Sequence, residues 1–179
     1  LISLAGPANK HGRIIADNIC GGDSRYLGSQ GSSVIKVFDM TAATTGINET
    51  NAKKSGLEVD TVILSPMSHA GYYPGGKVMT MKVVFEKETY RLLGAQIIGY
   101  EGVDKRIDVL ATAIHAGLKA TQLKDLDLAY APPYSSAKDP VNMAGFMIDN
   151  IAKGTLKQWH LENLDKICKD KSAVLLDVR

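Results

Sequence analysis

The stretch VMTMKVVF-EKETYR-LLGAQII, residues 78–98, decides the fold, because it holds two apolar segments separated by a short polar link. Residues 78–85 alternate in part between apolar and polar side chains, while residues 92–98 form a compact apolar run; both patterns are typical of strands. The link between them predicts an antiparallel hairpin. A third strand is predicted at Val59–Leu64, which is rich in β-branched residues. Since no helical segment separates these strands, the sheet should be mainly antiparallel and not a parallel nucleotide-binding sheet.

Upstream of these strands, residues 34–45 combine β-branched and small residues and predict one strand that ends at Gly46. Asn48 follows and is a suitable N-cap for a short helix through Lys54. These elements extend the sheet region toward the N-terminus.

The N-terminal segment predicts a loop that turns at Gly6 and Pro7 and continues as a helix with Ile14, Ile15 and Ile19 on one face. Glycines and serines between residues 28 and 33 then form a polar joint. We expect a domain boundary at this joint.

Downstream of the strands, the sequence becomes helical. Residues 104–118 carry apolar side chains at helical spacing, with Asp104 available as the N-cap. Residues 123–128 predict a shorter helix, and Asp139 followed by proline opens another that ends near Gly154. Strands followed by helices indicate an α+β fold, a mainly antiparallel sheet covered by helices.

The composition excludes several classes of protein. The 179 residues are 45% hydrophobic and 22% charged, as expected for a globular chain. A net charge of +2 gives no basic surface for nucleic acid or anionic lipid, and no apolar run is long enough for a membrane helix. Cys20 and Cys168 lie far apart, so we expect neither a disulfide framework nor a cysteine metal site, and a reducing cytoplasmic setting is the simplest expectation.

The two ends of the sequence suggest a piece of a longer polypeptide. No initiator methionine is present, and residues 173–179 (AVLLDVR) predict a buried strand. We therefore expect neighbouring segments on both sides.

Two loops stand out as places for chemistry, residues 65–76 between two strands and residues 130–140 between two helices. Both contain tyrosines, whose apolar rings and phenol groups suit ring or thiol recognition and suit protein interfaces equally. From the residues alone, an interface is favoured over a catalytic site. His69 has no partner at metal-ligand spacing, so a structural role is expected and no metal site is predicted. Lys105 and Arg106 are interpreted as solvated surface groups.

Five segments resemble a known family. LAGPANKHGR at residues 4–13 is similar to the stretch that closes the FAD domain of pyridine nucleotide-disulfide oxidoreductases. Residues 36–39 (KVFD), 68–75 (SHAGYYPG), 102–109 (GVDKRIDV) and 129–140 (AYAPPYSSAKDP) resemble the C-terminal dimerisation domain of the branch that contains coenzyme A-disulfide reductases and NADH oxidases. The resemblance implies an FAD/NAD-linked reductase dimerisation domain, with residues 1–31 ending the FAD-binding domain and residues 32–150 forming the dimerisation domain.

The tail adds a further resemblance. Asp177-Val178-Arg179, after Val174 to Leu176, is similar to the opening of a rhodanese domain, so residues 151–179 are expected to be a linker and its truncated start. This combination implies a homodimeric, FAD-dependent NAD(P)H:disulfide oxidoreductase that acts on coenzyme A disulfide or on a per- or polysulfide. FAD and NAD(P)H would be bound mainly by domains that this chain lacks, and the chain alone should be inactive.

Several residues acquire roles from this resemblance alone. Tyr72 and Tyr130 match two tyrosines that the partner subunit directs toward the active cysteine of the FAD domain, where they could hydrogen-bond or protonate a departing thiolate. Asn9 and Lys138 match positions that contact coenzyme A. The cofactor-binding candidates lie on the flavin side: Leu4, Ala5, Gly6, Ser68 and Tyr134.

Several alternatives remain open at this point. Because the active-cysteine motif would lie outside the sequence, the resemblance does not decide between a disulfide reductase and an NADH oxidase. Asn9 stands where some reductases of this group carry histidine, which leaves the sulfur substrate open. The chain could also be a purely structural dimerisation module, or a small-molecule binding module without redox chemistry.

Overall fold

The computed structural model describes residues 4–174, 176 and 177. Five strands form one sheet in the order β1-β2-β5-β4-β3, and every neighbouring pair is antiparallel. The strands are β1 Ser33–Val37, β2 Met40–Gly46, β3 Val59–Leu64, β4 Met79–Glu86 and β5 Leu92–Gly99. The predicted α+β class and the predicted hairpin are confirmed.

The central hairpin shows why the sequence folds this way. Met79, Met81 and Val83 are buried on one face of β4 in the main core, and Val83 pairs with Ala95 of β5. Val84 points to the opposite face and packs with a smaller apolar cluster. Alternation along the strand thus supplies two buried surfaces, one on each side of the sheet.

The prediction of a single strand over residues 34–45 is wrong. The chain reverses at Phe38 and Asp39, and β1 and β2 pair as an antiparallel hairpin that closes at Val37 and Met40. Phe38 adopts a φ of 53°, a left-handed conformation that a phenylalanine rarely takes and that sequence propensity does not signal.

Helices α3 (Val103–His115) and α4 (Pro140–Ala152) lie on the main-core face, α3 over β2 and β5 and α4 against β3. α4 begins as predicted, because the Asp139 side chain accepts a hydrogen bond from the Val141 N–H and proline occupies the first turn. The remaining α-helices are α1 Ala5–Ile19, α2 Glu49–Lys54 and α5 Leu164–Lys169, and Ala120–Asp125 and Leu161–Asn163 are short 3₁₀ helices.

Two N-terminal boundaries differ from the prediction. α1 already begins at Ala5, so Gly6 and Pro7 lie in its first turn, where proline is tolerated because its missing N–H would have no partner in the helix. α3 begins at Val103 behind Gly102, which holds a φ of 66°, and Asp104 falls within the first turn instead of capping it.

Two further predictions are corrected downstream. The helix expected at residues 123–128 is a 3₁₀ helix over Ala120–Asp125. The buried strand expected at residues 173–179 is not formed at the described positions of that segment, where Val174 and Leu176 are exposed. Residues 175, 178 and 179 lie outside the described residues, so the motif Asp177-Val178-Arg179 is described only at its first position.

Candidate functional site

Two tyrosine hydroxyls meet at the protein surface. Tyr72 lies on the loop between β3 and β4, and Tyr130 lies on the loop before α4; we call these the Tyr72 loop (residues 65–78) and the Tyr130 loop (residues 126–139). The two phenol oxygens are 2.9 Å apart, a hydrogen-bond distance, although the residues are separated by 58 positions. Their side chains remain accessible, with Tyr72 77% and Tyr130 46% exposed.

The hydrogen bond to Tyr72 raises the pKa of the Tyr130 phenol, and burial adds to the increase. When Tyr130 donates to Tyr72, the Tyr72 O–H is left to donate to a third group. The pair therefore presents a hydrogen-bond donor to whatever lies in front of it.

The Tyr72 loop is held by its own polar groups. The Ser68 N–H donates to the Lys77 carbonyl at 2.8 Å, and the Ser68 hydroxyl accepts from the Lys77 N–H at 3.1 Å. His69 is buried, and its ring meets the Tyr73 ring edge-on at 5.6 Å. These contacts agree with a structural place for His69 and close the loop on both sides of Tyr72.

Arg106 corrects a sequence-based expectation. It was expected to be a solvated surface group, but it is only 1% exposed and lies beneath the two loops. Its Nη2 donates to the Asp139 carboxylate at 2.9 Å and to the Ser68 carbonyl at 2.9 Å. An arginine fork serves several acceptors at once, so a buried charge is balanced here by a buried carboxylate and by carbonyl groups.

Asp139 is the negative counterpart of Arg106 and is also buried. It accepts from the Ser135 hydroxyl at 2.6 Å while its other oxygen caps α4 through Val141. Gly102 provides a further acceptor for the guanidinium group, since its carbonyl accepts a hydrogen bond from Arg106 Nη1 at 3.2 Å. A Cβ at Gly102 would lie 2.1 Å from that same nitrogen, so this position requires glycine both for space and for its left-handed backbone.

A surface pocket of about 440 Å³ opens beside this cluster. Tyr130 and Tyr134 provide aromatic walls, and Glu101 and Lys105 bring charges of opposite sign to its lining. Lys105 also reaches the Ala129 carbonyl at 3.4 Å. The pocket is thus partly aromatic and partly polar, which suits a ligand with both kinds of surface.

The structure brings together four of the nine predicted site residues. Tyr72 and Tyr130 are in contact, and Ser68 and Tyr134 line the pocket with Tyr130. Ser68 is buried, whereas Tyr134 is 72% exposed.

The other five predicted residues lie outside the pocket lining. Lys138 is exposed, with its ammonium 5.2 Å from the centre of the Phe146 ring. The remaining four lie at the exposed start of α1 and include Asn9, whose side chain donates to the Ala5 carbonyl: Leu4, Ala5, Gly6 and Asn9.

Sequence reasoning missed Arg106, Ser135 and Asp139 as a unit, although one signal was present. Arg106 occupies the apolar stripe of α3, three residues after Val103 and four before Leu110, both of which are buried. A charged residue on a buried stripe requires a partner inside the protein.

Neither a membrane-crossing helix nor a metal centre emerges from the described structure. Within residues 4–174, 176 and 177, no helix has both the length and the apolar character needed to cross a bilayer. Over the same positions, no three His, Cys, Asp or Glu side chains cluster closely enough to hold a metal ion.

The fold is an antiparallel sheet covered by helices, and the Tyr72 and Tyr130 loops meet at its surface. These features can now be compared with those of known proteins. Residues 32–141 match the family model of the pyridine nucleotide-disulphide oxidoreductase dimerisation domain. The chain belongs to this family.

Three relatives illustrate the match. A coenzyme A disulfide reductase of Staphylococcus epidermidis is 38% identical over 146 residues, which are 81% of this chain and 33% of the relative. The crystal structure of reduced Bacillus anthracis CoADR-RHD has a TM-score of 0.90 and 49% identity, covering 94% of this chain and 30% of that one. The structure of an NAD-dependent persulfide reductase from A. fulgidus matches with a TM-score of 0.84 and 45% identity. The match covers 89% of this chain and 30% of the reductase chain. The chain thus spans about a third of the length of these relatives.

Proposed function

We propose that this chain is the dimerisation and site-completing region of a homodimeric, FAD-dependent NAD(P)H:disulfide oxidoreductase that acts on coenzyme A disulfide or a related per- or polysulfide. In this proposal residues 32–150 form the dimerisation domain and residues 1–31 end the FAD-binding domain. The support comes from the family match and from relatives named coenzyme A disulfide reductase and persulfide reductase.

The observation that carries the proposal is the contact between the Tyr72 and Tyr130 hydroxyls at the exposed end of the domain. Reduction of a disulfide releases a thiolate, which requires a hydrogen-bond donor until it is protonated. A thiol has an ordinary pKa of about 8.5 and a phenol about 10, so a tyrosine beside a thiolate stabilises it by donating a hydrogen bond and keeps its own proton. Tyr72, the more exposed member, is the donor we assign to the substrate sulfur of the partner subunit's site.

The start of α1 suits the flavin. The N–H groups of Ala5 and Gly6 face outward from the first turn of a fifteen-residue helix, where they have no acceptor within the helix, and Leu4 has no polar side chain to cap them. A helix start of this kind stabilises negative charge. FAD, when bound, supplies the electron relay between NAD(P)H and the disulfide, and Leu4, Ala5 and Gly6 are the residues of this chain that would hold it.

Other contacts are assigned by exposure and charge. Lys138 projects from the surface and offers a positive charge to the phosphate groups of coenzyme A. Asn9, on the first turns of α1, is the second substrate contact. Of the two flavin-side candidates on the tyrosine loops, Tyr134 is accessible, while Ser68 is buried with its hydroxyl engaged by Lys77.

A second candidate function is a purely structural dimerisation module. Exposed apolar side chains on β1 and its turn favour an interface role there, since Ile35 is 61% and Phe38 95% exposed. In this alternative the two tyrosines only pack against the partner.

One experiment separates these functions. Tyr72→Phe, Tyr130→Phe and the double variant are compared in the flavoprotein that carries this chain, with Tyr90→Phe as a control that removes a phenol near the β4–β5 turn. We expect a fall in kcat for disulfide reduction of about 100-fold or more in the double variant, because a positioned acid–base group typically contributes about 10²–10⁴-fold, with FAD content and dimer mass unchanged. Unchanged turnover together with a weakened dimer would instead support the structural module, and turnover with oxygen but not with disulfides would support an oxidase.

The tail and the location of the protein complete the proposal. We infer that residues 151–179 are a linker and the start of a rhodanese domain, supported by the resemblance at residues 177–179 and by a likeness to CoADR-RHD over most of this chain. Sulfur transfer from thiosulfate to cyanide by the whole protein would test this, and its absence would count against it. Cys20 and Cys168 are free and exposed, which supports a reducing cytoplasmic setting.

A further inference from the structure

One guanidinium group connects the two loops that carry the tyrosine pair. Arg106 Nη2 donates to the Ser68 carbonyl at 2.9 Å and to the Tyr134 carbonyl at 3.4 Å. Ser68 lies four residues before Tyr72, and Tyr134 lies four residues after Tyr130. Arg106 therefore holds the backbone of each loop at a point four residues from the tyrosine that the loop carries.

The guanidinium itself has little freedom to move. The Asp139 carboxylate accepts from Nη2 at 2.9 Å and from Nε at 3.2 and 3.5 Å, and the Ser135 hydroxyl accepts from Nη2 at 3.1 Å. A direct backbone bond from the Ala70 N–H to the Ser135 carbonyl, 3.0 Å long, also joins the loops. A rigid and buried cluster thus lies below a pair of accessible phenol groups.

We propose that Arg106 is a positioning residue, which holds the Tyr72 loop and the Tyr130 loop in register so that the two phenol oxygens meet. The inference concerns the geometry of the pair, and its consequence for turnover rests on the proposed function. Lysine is a poor replacement in this role, because it lacks the Nε donor that binds Asp139 at 3.2 Å and the Nη1 donor that binds the Gly102 carbonyl at 3.2 Å. Without these bonds, no planar fork holds the remaining nitrogen in place between the two loops.

The test uses Arg106→Lys in the full chain labelled with tyrosine that carries ¹³C at Cζ, whose chemical shift reports ionisation of each phenol. Tyr72→Phe and Tyr130→Phe assign the two signals. Lysine keeps the positive charge of Arg106, and the variant leaves Glu101 and Lys105 beside Tyr130 unaltered. A change in the pKa of Tyr130 therefore reports a change in the distance between the two phenols and not a change of nearby charge. We expect the raised pKa of Tyr130 to return toward the ordinary value for tyrosine and to become insensitive to Tyr72→Phe.

Ile148→Ala is the matched control, because Ile148 is a fully buried core residue of α4 and its truncation destabilises the main core while leaving Arg106, Ser135 and Asp139 unaltered. The proposal predicts that this variant keeps the raised pKa of Tyr130. If Arg106→Lys keeps it as well, or if Ile148→Ala loses it equally, Arg106 has no special positioning role. Ser135→Ala gives an independent measurement should Arg106→Lys fold poorly, since it removes the two hydrogen bonds of the Ser135 hydroxyl without burying an unpaired charge. We expect a smaller change of the Tyr130 pKa in the same direction, and an unchanged pKa would overturn the inference.

Turnover measurements then separate this inference from the proposed function. With the tyrosine pair misplaced, kcat for disulfide reduction should fall about tenfold or more in Arg106→Lys while KM for the nicotinamide nucleotide stays constant. If Arg106→Lys returns the pKa of Tyr130 to its ordinary value but does not lower kcat, the positioning role of Arg106 stands and the catalytic role of the tyrosines is refuted. Loss of turnover with the pair intact would refute the positioning role.

Discussion

Replacement of Asp139 by asparagine isolates the charge in the buried cluster. Asparagine retains an oxygen at the position that caps the Val141 N–H, so α4 should keep its N-cap. The change removes the negative charge that faces Arg106, whose side chain is 1% exposed. Arg106 is then left with carbonyl and hydroxyl acceptors but without a counter-charge.

The magnitude follows from that burial. Removal of one partner from a buried ion pair costs about 3–5 kcal/mol, because the other charge remains desolvated and unpaired. Asp139→Ala also removes the N-cap, which adds about 0.5–2 kcal/mol. Since the free energy of unfolding of a domain is commonly about 5–15 kcal/mol, Asp139→Asn should remain folded and Asp139→Ala should approach the limit of stability.

Urea unfolding followed by circular dichroism at neutral pH measures both variants, at low and high salt. Lys153→Met is the control for an exposed pair: Lys153 contacts Asp149 at 2.6 Å but is 62% exposed, so its loss should cost less than about 1 kcal/mol and depend on salt. The reasoning is refuted if Asp139→Asn costs less than about 1 kcal/mol, or if added salt removes the difference from the parent chain.

Two further changes test the packing and electrostatics around the sheet. Bonds from Lys53 and Lys82 lower the pKa of Glu49 to about 2, so its contribution to stability is present above about pH 4.5 and is lost as the pH falls toward 2. Glu49→Gln should therefore lower the free energy of unfolding at pH 7 by about 1–3 kcal/mol, and urea titrations should show this difference closing in acid; a difference independent of pH would contradict the assignment. A Cβ at Gly145 would lie 2.2 Å from the Lys124 backbone nitrogen, so Gly145→Ala should lower the melting temperature despite the better helix propensity of alanine, at a cost of about 1–3 kcal/mol. A higher melting temperature would contradict this, because it would show that α4 shifts away from the Lys124 backbone at little cost.

The pattern of residues 78–98 sufficed to predict the hairpin at the centre of the sheet, because alternation and a polar link are local signals. Phe38 carries no comparable signal, since aromatic side chains favour strands and its left-handed conformation is imposed by the pairing of β1 with β2. Pro7 was misleading for a related reason: proline breaks a helix interior but is accepted in a first turn.

The candidate site depended on contacts that no local pattern reveals. The family resemblance singled out Tyr72 and Tyr130, but their contact across 58 positions is produced by the tertiary fold. Arg106 was misjudged because a lysine–arginine pair usually marks a solvated surface, and its buried partner Asp139 lies 33 residues away. The position of Arg106 on the apolar stripe of α3 was the one sequence feature that could have corrected this interpretation.

Complementation between two inactive subunits tests most directly whether the tyrosine pair serves the partner's site. One flavoprotein variant carries Tyr72→Phe and Tyr130→Phe, and the other lacks the active cysteine that the proposed function assigns to the flavin domain. Each variant should be nearly inactive as a homodimer if the proposed function is correct. After equal mixing and random reassociation, half of the dimers are mixed, and one of their two sites combines an intact cysteine with intact tyrosines, so about a quarter of the parental disulfide reductase activity should return. If the tyrosines serve their own subunit or only hold the dimer together, no activity above that of the separate variants will appear.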